Sequence, residues 1–140
     1  MSTISQIYEF LKENGFRLTR VRKSIIETIV ESVSPLSASD VKDLLKHDNL
    51  EVNKTTVYRE IEFLLCQKVI QEVNVGDGKM RYELSHSPHH HHLVCVKCNK
   101  IECIEIDNCM ENEKNFVSEE RGFIILSHSL KFYGLCAQCK

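Results

Sequence analysis

Two Cys-x-x-Cys pairs, Cys95/Cys98 and Cys136/Cys139, constrain this chain more than any other feature. Four thiolates are the number that closes a tetrahedral structural zinc site. The gap between the pairs, residues 99 to 135, is longer than in an ordinary zinc finger, so the fold has to return a distant segment to the first pair. Directly ahead of that pair runs His89-His90-His91-His92. The run lies inside the chain and leads into an apolar strand pattern, so it does not read as an expression tag. Successive side chains of a β-strand point to opposite faces. His89 and His91 then face one way, His90 and His92 the other, and one short strand can feed two metal sites. The alternatives are chance thiol pairs in a reducing cytosol and a solvated polar strand start. The prevalence of imidazole as a metal ligand weighs against both.

The chain has 140 residues, enough for one domain or two small ones, and each half alone buries a modest core. Metal and partner contacts should therefore matter for stability. The net charge is −2, and the balance is even along the chain: 12 basic against 13 acidic residues up to residue 88, then 6 against 7. A generally basic nucleic-acid binder is excluded, and any DNA contact must use a local cluster. Seven cysteines without a recognisable signal peptide point to the reducing cytoplasm and to metal ligation rather than a disulfide scaffold. No apolar run approaches the length of a membrane span.

Ile4, Ile7, Tyr8 and Leu11 recur at helical spacing, and Gly15 follows as a helix stop. Arg17, Arg20, Arg22 and Lys23 then place four cations in seven residues. Thr19 is placed to cap a helix with the stripe Ile25, Ile26, Ile29, Val30. Ser37 with Asp40 resembles a capping box, ahead of a buried face of Val41, Leu44 and Leu45. Asn53 caps a fourth helix whose stripe is Val57, Ile61, Leu64 and Leu65, with Cys66 read as a small core residue at its end. Lys54, Thr55, Tyr58 and Arg59 lie off that stripe near the N-terminus, the end that a recognition helix turns to bases and phosphates. An ordinary amphipathic surface helix would carry the same pattern. The strand-like runs 69–75 and 79–84, joined through Gly76-Asp77-Gly78, then make a hairpin. Short helices followed by a hairpin describe a winged helix.

Ser85-His86-Ser87-Pro88 reads as a hinge. Beyond it, strands are expected at 91–96, 100–106 and 123–133, with a helix over 108–121 that Gly122 ends. Cys109 falls in that helix without a partner. A three-stranded sheet with one helix is too small to stand alone, which suggests a dimerisation module. The expected fold class is α+β: a winged helix-turn-helix DNA-binding domain at 1–84, the hinge at 85–88, and an α/β dimerisation and metal-binding domain at 89–140.

Thr56-Val57-Tyr58-Arg59, the histidine run leading into Cys95-x-x-Cys98, His128-Ser-Leu and Cys136-x-x-Cys139 together resemble the ferric uptake regulator (Fur) family of bacterial metal-sensing transcription factors, over nearly the whole chain. The resemblance implies a homodimer that binds AT-rich palindromic operator DNA when loaded with metal, and usually represses. It assigns structural Zn2+ to Cys95, Cys98, Cys136 and Cys139. It assigns a regulatory Fe2+ or Zn2+ to Glu83, His90 and His92, with Glu105 recruited after the first Cys-x-x-Cys if one residue is inserted locally, and Cys103 otherwise. A further histidine of that site is usual near position 35, where this chain has Pro35. A second metal falls to His89, His91, Glu111 and His128. His91 stands where many iron sensors carry Asp, a nitrogen-rich set that suits zinc. The DNA contacts implied or read from the residues are Arg17, Arg22, Lys23, Lys54, Thr55, Tyr58 and Arg59. Arg17 falls where the family reaches the minor groove.

Three rival readings differ in what they require. A zinc enzyme needs an open coordination position and a general base, and no His-Glu-x-x-His helix is present. A metal store or trafficking protein needs neither the Tyr58-Arg59 helix nor a wing. A peroxide-sensing relative would carry an Asp near 103 to 105, which this chain lacks.

Overall fold

The computed structural model describes residues 2–85 and 89–140. His86, Ser87 and Pro88 of the expected hinge lie outside the described residues. The chain forms two compact units, Met1–Ser87 and Pro88–Lys140.

In the first unit, side-chain caps set the helix starts. Helix α1 (Thr3–Glu13) begins where Ser2 accepts from the Ser5 amide, and Gly15, at φ +81°, makes the left-handed turn after its C-cap Asn14. Thr19 caps α2 (Arg20–Glu31), accepting from the Arg22 amide at 3.1 Å. A two-residue strand, β1 (Leu36–Ser37), leads into α3 (Ala38–His47), where Ser37 and Asp40 form a reciprocal capping box at 3.0 and 3.1 Å. Helix α4 (Lys54–Cys66) starts at Asn53, whose Oδ1 accepts from the Thr56 amide at 2.8 Å.

The apolar stripes of these helices meet in one core. Leu11, Ile25, Ile26, Val41, Leu45, Val57, Ile61 and Leu64 are each at most 2 % exposed, so each contributes about 1.5–3 kcal/mol of burial if Val-sized or larger. Leu44 departs from its expected place, pointing outward beside the buried Val41 and Leu45. Cys66 is exposed, because the last turn of α4 carries it off the Val57-Ile61-Leu64 stripe. The core is closed by an antiparallel sheet of order β1-β3-β2, in which β2 (Ile70–Asn74) and β3 (Met80–Leu84) form the wing, in register from Ile70–Leu84 to Asn74–Met80. Gly76 and Gly78 both take φ +82° at its tip. Between them Asp77 accepts from the Lys79 amide and from both terminal nitrogens of Arg81, at 3.0 and 2.8 Å.

The second unit is a sheet of order β5-β4-β6 with one helix, α5 (Glu111–Arg121). Strand β4 (His91–Cys95) pairs antiparallel with β5 (Ile101–Ile104) and parallel with β6 (Lys131–Gly134). Two expectations are corrected. The helix starts at Glu111 rather than 108, because residues 107–110 form a turn with Asn108 and Met110 in the left-handed region. The last strand covers only Lys131–Gly134 rather than 123–133. A strand needs a ladder partner for its amides and carbonyls. Residues 123–130 find none among the described residues, and Ile124 and Leu126 stand 86 % and 91 % exposed.

Candidate metal centres and recognition helix

Three clusters of metal-ligating side chains converge in the second unit, and β4 contributes to all of them. The first is the cysteine cluster. Parallel pairing sets Cys95 opposite Gly134, so the turns that follow β4 and β6 lie side by side and carry Cys98 and Cys136 together. The Cys136 amide donates to Cys95 Sγ at 3.4 Å, and Cys98 Sγ lies 3.8 Å from Cys136 Sγ. A tetrahedron of thiolates with Zn–S bonds of about 2.3 Å has an edge of about 3.8 Å. All four sulfurs of Cys95, Cys98, Cys136 and Cys139 lie within 4.8 Å of one another. The amides of Cys136 and then Cys98 draw the Cys95 thiol down to about 6, whereas the neighbouring Cys136 thiol, with burial, pushes Cys139 up to about 12. Binding of a cation would displace the remaining thiol protons to solvent. Fold and donor set fit a closed structural zinc site.

The histidines divide by strand alternation. On one face His89 and His91 meet His128, with ring centroids 4.6, 4.8 and 5.5 Å apart for the pairs 89–91, 89–128 and 91–128. The fourth donor of this cluster is Cys109. Glu111 lines the same cavity, but it is the exposed first residue of α5 and lies outside the tight group. Sequence reading missed Cys109 because helical periodicity extended α5 back over it. The turn at 107–110 instead buries the thiol to 8 % exposure. His91 is 1 % exposed, and burial, with the other imidazoles nearby, holds its pKa below the ordinary histidine value. The Nε2 atoms of His91 and His128 are buried without a hydrogen-bond partner. Ring nitrogens not engaged in a hydrogen bond are what a metal requires.

On the opposite face His90 and His92 stand with ring centroids 5.0 Å apart, and their donor atoms lie within 4.8 Å of Cys103 Sγ. The register pairs His92 with Cys103 directly, without the local insertion that would have brought Glu105 there. Glu105 follows the end of β5 and lines the cavity of His89 and His128 instead. Glu83, on β3 of the first unit, shares its Oε1 with Gln71 Nε2 at 3.0 Å. Pro35 is buried and offers no donor.

On α4 the apolar stripe turns inward and leaves Lys54, Thr55, Tyr58 and Arg59 exposed in the first two turns, with the Lys54 ammonium 5.9 Å from the Tyr58 ring. Arg17 and Lys23 are exposed as well. Arg22 is the exception among the expected DNA contacts. Its guanidinium binds both carboxylate oxygens of Glu60, donates to the Arg17 carbonyl at 2.7 Å, and stacks 3.8 Å above the Phe63 ring. A cation spent inside the fold on α4 is not available to a phosphate.

The Ferric uptake regulator family model matches residues 13–133. The ferric uptake regulation protein of Bacillus subtilis is 35% identical over 97% of this chain and 93% of its own length. The Helicobacter pylori ferric uptake regulator, described with three functional metal-binding sites, superposes with a TM-score of 0.84 at 25% identity, covering 99% of this chain and 94% of that one. The iron-bound regulator of Francisella tularensis gives 0.78 at 28% identity, covering 89% and 95%.

Proposed function

We propose a function from one premise: the chain belongs to the ferric uptake regulator family. Members of this family are metal-responsive, DNA-binding transcriptional regulators that act as dimers, and they are not enzymes. This protein is then a cytoplasmic, metal-dependent repressor of metal homeostasis that binds AT-rich palindromic operators as a homodimer. Cys95, Cys98, Cys136 and Cys139 hold a permanent Zn2+, Tyr58 and Arg59 read bases, and Arg17, Lys23, Lys54 and Thr55 contact phosphate and groove.

The observation that carries the reading is the division of four consecutive histidines between two faces of β4, each with a cysteine at hand. We assign the switch to His90 and His92 with Cys103. From sequence position we add Glu83, separated from His90 by only six residues across the junction of the two units. A metal that draws donors from both sides of a junction favours one orientation of the winged helices. A dimer meets half-sites at fixed spacing only when both winged helices are presented correctly. Without metal, operator affinity falls by the fraction of competent dimers.

Fe2+ and Zn2+ are both candidates for the sensed ion. The names of the relatives point to iron, while a thiol beside two imidazoles favours the softer zinc. The test is operator binding by fluorescence anisotropy, with each metal added to protein that retains its structural zinc. His90→Ala should remain a folded dimer whose operator affinity no longer responds to metal. An undiminished response would move the switch to the His89, His91 and His128 face.

A further inference from the structure

We propose that Cys109 is the fourth ligand of the metal centre built on His89, His91 and His128, making it a three-nitrogen, one-sulfur site that selects zinc over the harder Fe2+ and Mn2+. The inference rests on the reading that this face holds a metal and specifies its donor set.

Geometry comes first. The Cys109 sulfur and one nitrogen of each histidine lie within 4.8 Å of one another. A tetrahedral zinc with bonds of about 2.0–2.1 Å to nitrogen and 2.3 Å to sulfur needs donor separations of about 3.3–3.6 Å. Shifts of about an ångström, well inside what side-chain torsions supply, complete the contraction.

A ligand is also what the site lacks. His91 is 1 % exposed, yet its Nε2 has no hydrogen-bond partner, and the same is true of the buried Nε2 of His128. Leaving such a nitrogen unsatisfied forfeits its hydration with nothing in return. One ion in their midst satisfies both.

The thiol is placed for that role. Residues 105–108 and 110–113 are exposed or half-buried, yet Cys109 between them is buried. The turn that drives it inward sets Asn108 at φ +53° and Met110 at φ +58°, a region non-glycine residues enter at a cost. Ordinary burial of a cysteine as a small hydrophobe would surround it with aliphatic carbon. Here three imidazole nitrogens lie within 4.8 Å of its sulfur as well.

The chemical consequence follows from replacing a carboxylate by a thiolate. Binding releases the Sγ proton to solvent, so the site keeps one anionic and three neutral ligands, as it would with Glu111. Its net charge does not change, but its softness does. Thiolate favours zinc and cobalt, whereas carboxylate oxygen favours manganese and, next to it, ferrous iron.

Cobalt reports this directly. The full-length dimer, carrying Zn2+ in its four-cysteine site and His90→Ala/Cys103→Ser to silence the opposite face, is titrated with Co2+ while zinc content is followed. One Co2+ per chain should bind with a thiolate-to-cobalt charge-transfer band and no loss of zinc. Adding Cys109→Ser should abolish the band and weaken Zn2+ by more than about tenfold, the scale on which even outer partners of a metal act, while Mn2+ affinity changes less. Glu111→Gln should leave the band intact. Cys109→Asp, which keeps an anionic donor if the serine variant folds poorly, should bind without the band and narrow the gap between Zn2+ and Mn2+. A band that survives Cys109→Ser, or one that is absent from the parent although cobalt binds, overturns the thiolate assignment. Failure of the parent to bind any cobalt beyond the zinc overturns the metal centre itself.

Discussion

Arg22 meets both carboxylate oxygens of Glu60, at 2.8 and 3.2 Å, across the interface of α2 and α4. Only 14% and 16% of the two side chains is accessible to solvent. The pair ties α2 to α4, so a cation from the basic segment acts through the fold. Arg22→Ala should cost about 2–3 kcal/mol, since it strands a partly buried carboxylate and removes the cover on Phe63. Arg17→Ala and Lys23→Ala, at exposed positions, should stay within about 0.5 kcal/mol. Urea unfolding of the three variants separates them, and equal stability for all three would refute the structural role of Arg22.

Arg59 and Lys23 should differ in kind rather than in degree. Loss of a base-reading arginine should cost about 1–3 kcal/mol on operator and little on random DNA. Loss of a phosphate contact should weaken both alike and flatten the salt dependence. Parallel titrations of Arg59→Ala and Lys23→Ala on the two DNAs decide the point; equal losses for Arg59→Ala would remove it from base readout.

Zinc removal should unfold the second unit before the first. The sheet of three short strands has little core of its own beyond Val94 and Cys95, whereas the first unit buries a continuous apolar cluster. Four thiolates around zinc supply folding free energy directly. Cys98→Ser, or a strong chelator, should abolish hydrogen-exchange protection in 91–134 and leave α2 to α4 protected. A zinc-free Cys98→Ser protein with β4 still protected would contradict this.

The wing should lose order in acid. The Arg81 guanidinium beside Asp77, helped by the Lys79 amide, holds the Asp77 carboxyl down to about 2. A carboxylate with a lowered folded pKa stabilises most above its ordinary value near 3.8, and that share is lost as pH falls toward 2. NMR titration of Asp77 should show a midpoint well below that of a free carboxyl. Asp77→Asn should remove the pH dependence of wing order over the same interval.

Residues 123–130 should find their missing ladder in a second copy of the chain. Ile124 and Leu126 are almost fully exposed in the single chain, and Phe123 is 65 % exposed. Leu126→Glu should shift sedimentation from dimer toward monomer while leaving the zinc of the four-cysteine site in place. A dimer of undiminished strength would place the interface elsewhere.

What could be read from residue order alone was whatever depends on local period or on ligand count. The helix caps at Thr19, Ser37 and Asn53, the inward stripe of α4, the cysteine quartet and the two-sided histidine run all have that character. The misses share another cause: each depends on a partner far along the chain or outside it. Arg22 looked like a free cation because Glu60 lies 38 residues on. Cys103 and Glu105 could not be ranked until the β4–β5 register was known. Cys109 was absorbed into α5 because a left-handed Met110 leaves no mark on helical periodicity. The strand expected from Phe123 shortened because residues 123–130 find no ladder partner among the described residues.

The parallel pairing of β4 with β6 has a consequence for fidelity. Because side chains alternate, a slip of β4 by a single residue would exchange His89 and His91 with His90 and His92, delivering each set of imidazoles to the wrong chamber. Cys95 ends the same strand, three residues beyond His92, and Cys136 follows two residues after the end of β6. A zinc clasped by both fixes the two strands to a common origin. The four-cysteine ion would thereby keep each set of imidazoles at its own address.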